Sequence, residues 1–147
     1  MYKRILVPLD GSSLSETIFP HAQSLAQALD AEIILLHVNV EPSEEFATPA
    51  SPLAPPIEIQ KTHAEAKEYI KAVCTKLEKE GLRATYLIRD GGVGETILEA
   101  AEVMQADLIS MSTHGRSGVQ RLLLGSITEW TIKHSPLPVM VFYPKAS

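Results

Sequence analysis

The chain has 147 residues, of which 45% are apolar, 21% are charged and 5% are aromatic, as in an ordinary globular domain. Its formal net charge of −5 at pH 7 argues against a general affinity for the backbone of nucleic acids or for anionic lipids. A single cysteine, Cys74, excludes a disulfide within the chain and a zinc site made of cysteines alone. We therefore expect one domain over residues 1–147, soluble and in a reducing compartment such as the cytoplasm.

The first part of the chain combines short apolar runs with one amphipathic segment. Residues 5–7 and 33–38 are continuous apolar runs, interrupted only by a histidine, and they predict strands buried on both faces of a sheet. Between them, apolar residues at helical spacing predict a helix that Ser12 or Ser13 caps. Pro20 lies inside this pattern and should kink the helix or delay its start, because proline removes a helical hydrogen bond.

The second part continues the same alternation. Residues 41–57 hold half of the ten prolines, which predicts a long loop that is mobile or draped over the surface. A helix is predicted from 58 to 80 with Gly81 as its end. The remaining predicted elements are strands at 84–88, 107–112 and 139–142, and helices that begin near Gly94 and at Ser126, the last running to about His134. The alternation of strands and helices predicts a parallel five-stranded sheet in a three-layer α/β sandwich.

Three predicted strands end at residues that could surround a ligand. Asp10, Val38 and Ser112 lie at the carboxyl ends of the first, second and fourth strands. In open α/β sheets, ligands bind beyond these ends, where the winding of the sheet reverses. The sequence therefore predicts one crevice lined by three distant segments.

The densest glycine pattern follows the fourth strand. Gly115 and Gly125 are separated by nine residues, and Ser126 opens the last predicted helix. Glycine lets the backbone approach an anion, and a helix amino terminus offers free amide donors, so the pattern is typical of a phosphate cradle. The alternative is a flexible loop that ends in an ordinary serine cap, and the spacing alone does not choose between the two.

Other sequence patterns for catalysis or metal binding are absent. There is no P-loop motif, and a G-x-G-x-x-G match that begins at Gly92 fails at Ile97, so this segment is predicted as a turn and helix entry. The five histidines show none of the common metal-binding spacings, and His37 is predicted as a core residue. Trp130 is predicted to cover the core or a subunit contact, and Cys74 lacks the basic neighbours of a nucleophile.

The motifs at the strand ends resemble those of the universal stress protein family. The matching segments, which extend over nearly the whole chain, are Val7-Pro8-Leu9-Asp10-Gly11-Ser12, Leu36-His37-Val38, Ser112-Thr113-His114-Gly115-Arg116, Leu124-Gly125-Ser126 and Pro138-Val139-Met140-Val141. The resemblance implies a Rossmann-like sheet of the adenine nucleotide alpha hydrolase type, with strand order 3-2-1-4-5.

The nucleotide-binding branch of that family carries G-x-x-G, nine residues and then G-[ST]. This chain is similar except that Ser112 stands at the first glycine. If the family needs that glycine for a positive φ, serine costs about 1 kcal/mol of strain and weakens binding. If only the backbone amide is needed, serine retains it.

The resemblance also implies roles for individual residues. Asp10 would accept hydrogen bonds from the ribose or help to hold a divalent cation on the phosphates, and otherwise it caps the next helix. Val38 would read the adenine edge through its backbone. Arg116 would pair with the phosphates or remain solvated, and His114 would donate to phosphate or pack at the base of the loop. The full set of implied binding residues is Pro8, Leu9, Asp10, Val38, Met111, Ser112, His114, Gly115, Arg116, Gly118, Gly125, Ser126 and Ile127.

By this resemblance, the chain is expected to be a regulatory protein that binds ATP with Mg²⁺ or Mn²⁺ and catalyses at most slow hydrolysis. Two alternatives remain, an adenylyl-transferring enzyme on the same scaffold and a structural dimer that has lost its ligand. The apolar strand within residues 138–143 is expected to pair two copies into a homodimer, unless Pro138 and Pro144 protect that edge.

Overall fold

The computed structural model describes residues 1–10, 15–39, 56–113 and 125–143, without the side chains of 15, 16 and 56–62. Five strands form its single sheet: β1 (Arg4–Leu9), β2 (Glu32–Asn39), β3 (Ala84–Asp90), β4 (Leu108–Ser112) and β5 (Val139–Phe142). Each adjacent pair is parallel, and the strand order is β3-β2-β1-β4-β5. The predicted α/β architecture and strand order are confirmed.

Within the described ranges, four α-helices cover the two faces of the sheet. They are α1 (Phe19–Leu29), α2 (Pro56–Lys79), α3 (Val93–Val103) and α4 (Ser126–His134). α1 and α2 pack on one face, which we call the α1–α2 face, and α3 and α4 lie on the other, the α3–α4 face. Among the described residues, no helix combines the length and the apolar composition of a membrane span.

The central strands are apolar at successive positions because both of their faces are buried. In β2, Ile33 and Leu35 join the core on the α1–α2 face, whereas Ile34 and Leu36 join the core on the α3–α4 face. All four side chains are essentially inaccessible to solvent. This explains why the two strands predicted from continuous apolar runs lie in the middle of a parallel sheet.

The first helix begins later than predicted. Instead of starting at Ser12 or Ser13, which lie outside the described residues, α1 starts at Phe19 after a short 3₁₀ turn over Ser15–Ile18. Pro20 then falls in the first turn of α1, where its missing N–H has no helical acceptor to lose. The proline therefore delays the start of the helix, which is one of the two effects predicted for it.

The long helix begins slightly earlier than predicted. α2 starts at Pro56, inside the expected loop of 41–57, because proline is also tolerated at the first position of a helix. The rest of that predicted loop lies outside the described residues. α2 ends just before Gly81, which has a φ of +90° and confirms the predicted stop.

Three helices end in the same way at the amino edge of the sheet. The residues in the left-handed conformation are Asp30 after α1, Gly81 after α2 and Gln105 after α3. In each case, the next residue donates its N–H to a carbonyl five positions earlier, at 2.9 to 3.1 Å. Lys3 Nζ donates to the Leu29 carbonyl, and Arg4 Nη1 donates to the Met104 carbonyl. Basic side chains at the start of β1 thus donate hydrogen bonds to carbonyl groups at the ends of α1 and α3, one helix on each face.

Candidate functional site

The three residues predicted to surround a crevice lie at the carboxyl edge of the sheet. Val38 is the penultimate residue of β2, Asp10 follows β1 directly, and Ser112 is the last residue of β4. Because β2, β1 and β4 are adjacent and parallel, their ends meet at one edge. The winding of the sheet reverses between β1 and β4, which makes this edge the expected position of a ligand.

Three apolar residues form a shelf just inside that edge. Val38 and Met111 are buried in the core on the α3–α4 face. Pro8 lies between Val7 and Leu9, which belong to the opposite core, so it alternates onto the same face as Val38 and Met111. We call these three residues the apolar shelf; each is the penultimate residue of its strand. These side chains make the inner side of the carboxyl edge apolar on this face of the sheet.

Leu9 is not part of the shelf. Its side chain packs in the core on the α1–α2 face, and its carbonyl oxygen lies 3.3 Å from His37 Nδ1. His37 is buried in the same face of β2, so its prediction as a core residue is confirmed. Any contact of Leu9 with a ligand would therefore involve its backbone.

The amino terminus of α4 lies beside the end of β4. Gly125 caps the helix in an extended conformation with φ −60° and ψ 150°, and Ser126 and Ile127 are exposed. The buried Thr128 hydroxyl donates to the Ser112 carbonyl at 3.4 Å, which ties the first turn of α4 to the carboxyl end of β4. Amides of a first helical turn have no helical acceptors, and the helix dipole makes this end favourable for an anion.

Ser112 does not have the strained conformation that replacement of a glycine could impose. Outside the glycines, the described residues with positive φ are Asp30 and Gln105, and neither belongs to β4. Ser112 instead continues the ladder of β4 opposite Phe142. A serine at this position therefore keeps its amide without the cost of a left-handed backbone.

Part of the predicted site lies outside the described residues. His114, Gly115, Arg116 and Gly118 belong to the segment 114–124, and their phosphate-binding roles stay predictions. The residues that the structure does place are the apolar shelf, Leu9, Asp10, Ser112 and the first turn of α4. These come from four elements and meet at the carboxyl edge.

Two buried polar residues at this edge were missed by the sequence analysis. Asn39 is 8% exposed; its Nδ2 donates to Asp90 Oδ1 at 3.0 Å, but no described residue donates to its Oδ1. Thr113 is fully buried beyond β4, and its hydroxyl has no partner within the described part of the chain. A buried polar atom without a partner costs about 1–3 kcal/mol. The Ser110 hydroxyl, inside β4, is a third buried polar group without a partner among the described residues. The sequence feature that could have identified Asn39 and Thr113 is a polar residue directly at the end of an apolar strand.

The remaining reactive side chains serve the fold. Cys74 is buried in α2, and burial, together with the hydrogen bond to Glu78, raises the pKa of its thiol to about 11. Trp130 packs against Gly94 of α3 and stacks on His134 at 4.2 Å between ring centroids. In the described ranges, no group of three or more histidine, cysteine or acidic side chains could hold a metal ion.

Comparison with known proteins gives matches over nearly the whole chain. The model of the universal stress protein family matches residues 1–142. Universal stress protein MJ0531 of Methanocaldococcus jannaschii is 36% identical over 141 residues, which cover 96% of this chain and 82% of that protein. Universal stress protein MJ0577 of the same organism is 32% identical, with 100% of this chain and 98% of that protein covered.

Solved structures show the same fold. The structure of MJ0577 matches with a TM-score of 0.84 and 35% identity over 100% of this chain and 99% of that chain. Universal stress protein UspA from Lactobacillus plantarum matches with a TM-score of 0.80 and 26% identity, over 96% of this chain and 97% of that one. A universal stress protein solved in complex with cAMP shares the fold, with a TM-score of 0.63 and 19% identity over 98% of both chains.

Proposed function

Because the chain belongs to the universal stress protein family, we propose that it is a cytoplasmic regulatory protein of the stress response that binds ATP at the carboxyl edge of its sheet. The observation that carries this proposal is the position of α4. Its amino terminus, tied to Ser112 by Thr128, stands next to an apolar shelf on the same face of the sheet. An anion site beside an apolar surface suits a nucleotide.

The parts of a nucleotide fit this arrangement in order. The adenine ring lies on the apolar shelf and meets the backbone of Val38, and the ribose lies near Asp10. The phosphates lie at the first turn of α4, where Gly125 leaves room for a close approach. A bound Mg²⁺ or Mn²⁺ would be held by the phosphates, with Asp10 as the carboxylate within reach. The solved complex of a family member with cAMP supports an adenine nucleotide as ligand.

We propose binding rather than catalysis as the function. Rapid phosphoryl transfer requires a group that orients the nucleophile and a charge clamp around the phosphates. Among the described residues of the proposed site, the carboxylates are Asp10 and Glu129, and Glu129 is paired with Lys133 at 3.0 Å. A turnover of roughly 1–100 s⁻¹, as in kinases, would overturn this part of the proposal.

The proposal is tested by thermal or urea unfolding with and without ATP and Mg²⁺. ATP at about 100 times its dissociation constant should stabilise the wild-type protein by about 2.7 kcal/mol. Gly125→Val should abolish this stabilisation, because the side chain occupies the position of the phosphates. The extended backbone of Gly125 accepts a β-branched residue, so the variant should remain folded.

Gly92→Val is the matched control. Gly92 caps α3 with φ −70° and ψ 134°, nearly the conformation of Gly125, so valine should weaken the two helix caps similarly. We expect the Gly92→Val protein to keep its full response to ATP. The absence of a response in the wild type would refute ATP binding, and an unchanged response in a folded Gly125→Val protein would place the phosphates elsewhere.

A further inference from the structure

A groove separates α3 from the segment between α4 and β5. Its apolar lining is formed by Leu98, Ala101, Ala106 and Leu137, and its volume is about 550 Å³. Ala106 and Leu137 each lie two residues before a strand, so the groove is at the amino edge of the sheet, opposite the proposed nucleotide site. We call it the α3 groove.

The groove has a well-defined far wall. α4 ends at His134, and the chain then turns through Ser135 and Pro136 before it enters β5. The Ser135 hydroxyl donates to the Leu137 carbonyl at 2.8 Å and accepts from the Leu137 amide at 3.0 Å. These two hydrogen bonds fix the turn, so the groove is preformed rather than a gap between loose segments.

The rim of the groove is acidic. Glu99 and Glu102 line it, and Glu95 lies one turn earlier on the same exposed flank of α3. Within the described residues, none of these three carboxylates has an ion pair or a hydrogen bond to a side chain. Val103, beside them, is 69% exposed. An apolar floor with unpaired carboxylates at its edge is the pattern of a surface that receives a cationic amphipathic segment.

The cations near this face are already engaged. Arg4 donates to the Met104 carbonyl at 2.9 Å and lies 3.7 Å from Glu32. On α4, Lys133 lies 3.0 Å from Glu129. The carboxylates of the rim are therefore not neutralised by the cations described around them, and the whole chain carries a net charge of −5.

We infer that the α3 groove docks a basic amphipathic segment of a partner protein. An apolar side chain of that segment fills the groove, and lysine or arginine side chains flank it above Glu99 and Glu102. Nucleic acid and anionic lipid are repelled by the same carboxylates. A second copy of this chain is also disfavoured, because a two-fold contact would set one acidic rim against the other.

The experiment uses a synthetic helical peptide with leucine along one face and lysine elsewhere, and a second peptide with glutamate in place of every lysine. We expect the lysine peptide to bind the wild-type protein and to shift the backbone NMR signals of Ala101 and Ala106. The glutamate peptide should bind at least tenfold more weakly, because its charges face the acidic rim.

Charge reversal in the protein provides the second arm. The double variant Glu99→Lys, Glu102→Lys should weaken binding of the lysine peptide about five- to tenfold. The control is Glu65→Lys, Glu68→Lys on the exposed surface of α2, which changes the net charge by the same amount. We expect less than a twofold effect from the control.

Three results would overturn the inference. Equal weakening by the two double variants would show a general attraction of opposite charges. NMR shifts confined to other surfaces would place the peptide elsewhere, and shifts in the groove on raising the protein concentration alone would assign it to a second copy. The response of the same samples to ATP is read separately, so failure of the docking proposal is distinguishable from failure of nucleotide binding.

Discussion

At the scale of single residues, Gly94 and Trp130 decide how closely α3 and α4 approach. A Cβ atom on Gly94 would lie 2.4 Å from Trp130 Cε3, far inside van der Waals contact. The position of α4 in turn sets the distance between its first turn and Ser112, which Thr128 bridges. The absence of a Cβ atom at Gly94 of α3 thus helps to determine where the proposed phosphate site lies.

We predict that Gly94→Ala lowers the free energy of unfolding by about 1–3 kcal/mol, because either the indole or α4 must move. Urea denaturation measures the change. In a Trp130→Leu background, which lacks the six-membered ring, the same substitution should cost much less. An equal cost in both backgrounds would show that the contact between Gly94 and Trp130 does not determine the helix spacing.

The sequence predicted the edge at which the site residues meet, but not their individual surroundings. Asp10, Val38 and Ser112 follow from where apolar runs end, which is a local signal. Asn39 Oδ1, which has no hydrogen-bond partner among the described residues, and the contact of Trp130 with Gly94 depend on which side chains face each other across elements. These contacts depend on the angles at which helices and strands pack. Local sequence patterns do not determine those angles.

At the scale of secondary-structure elements, α1, α2 and α3 share one type of carboxyl terminus. Each ends with a left-handed residue, and the N–H of the next residue bonds back to the last turn. Gly81 adopts this conformation without strain, whereas Asp30 and Gln105 carry a Cβ atom that disfavours it. The ends of α1 and α3 are therefore held in the left-handed conformation by their surroundings, although Asp30 and Gln105 disfavour it.

We predict that introducing glycine at one of these helix ends and removing it from another change the free energy of unfolding in opposite directions. Gln105→Gly should raise the free energy of unfolding by up to about 1 kcal/mol, because it relieves the left-handed strain at φ 54°. Gly81→Ala should lower it by about 1 kcal/mol, although the added methyl group would meet no atom within 4 Å. Thermal unfolding of both variants gives the signs, and changes of the same sign would contradict the argument.

Local sequence patterns predicted the bounds of some secondary-structure elements better than those of others. α4 and β5 lie where the periodicity predicted them, from Ser126 to His134 and over 139–142. α1 begins at Phe19 rather than at the predicted serine cap, and the delay agrees with the predicted effect of Pro20. Proline restricts where a helix can begin, and tertiary packing of the fully buried Ile18 determines the shape of the turn before it.

At the scale of the whole molecule, β5 leaves one side of the sheet open in the described part of the chain. The Pro138 and Phe142 carbonyls accept from Ile109 and Thr113, so even-numbered residues of β5 direct their backbone groups to β4. The N–H groups of Val139 and Val141 consequently point away from the sheet. We propose that these groups pair with β5 of a second copy.

We predict that Val141→Pro converts the proposed dimer to a monomer, because proline removes a donor from the open edge but none from the ladder with β4. Light scattering at micromolar concentration measures the mass. Val141→Thr, which keeps the N–H, should remain dimeric. A monomeric wild-type protein, or a Val141→Pro protein that stays dimeric, would refute pairing through this edge.

The basic residues at the amino edge hold the ends of α1 and α3 at one side of the molecule, while the proposed ligand site lies a full strand length away. Loss of a contact at the carboxyl edge therefore leaves those helix ends secured. Exposed residues at the carboxyl edge, such as Ser126 and Ile127, can therefore be exchanged with little effect on folding, whereas Val38 and Met111 also belong to the core. The protein is in this sense a natural scaffold for redesigning the selectivity of the proposed site.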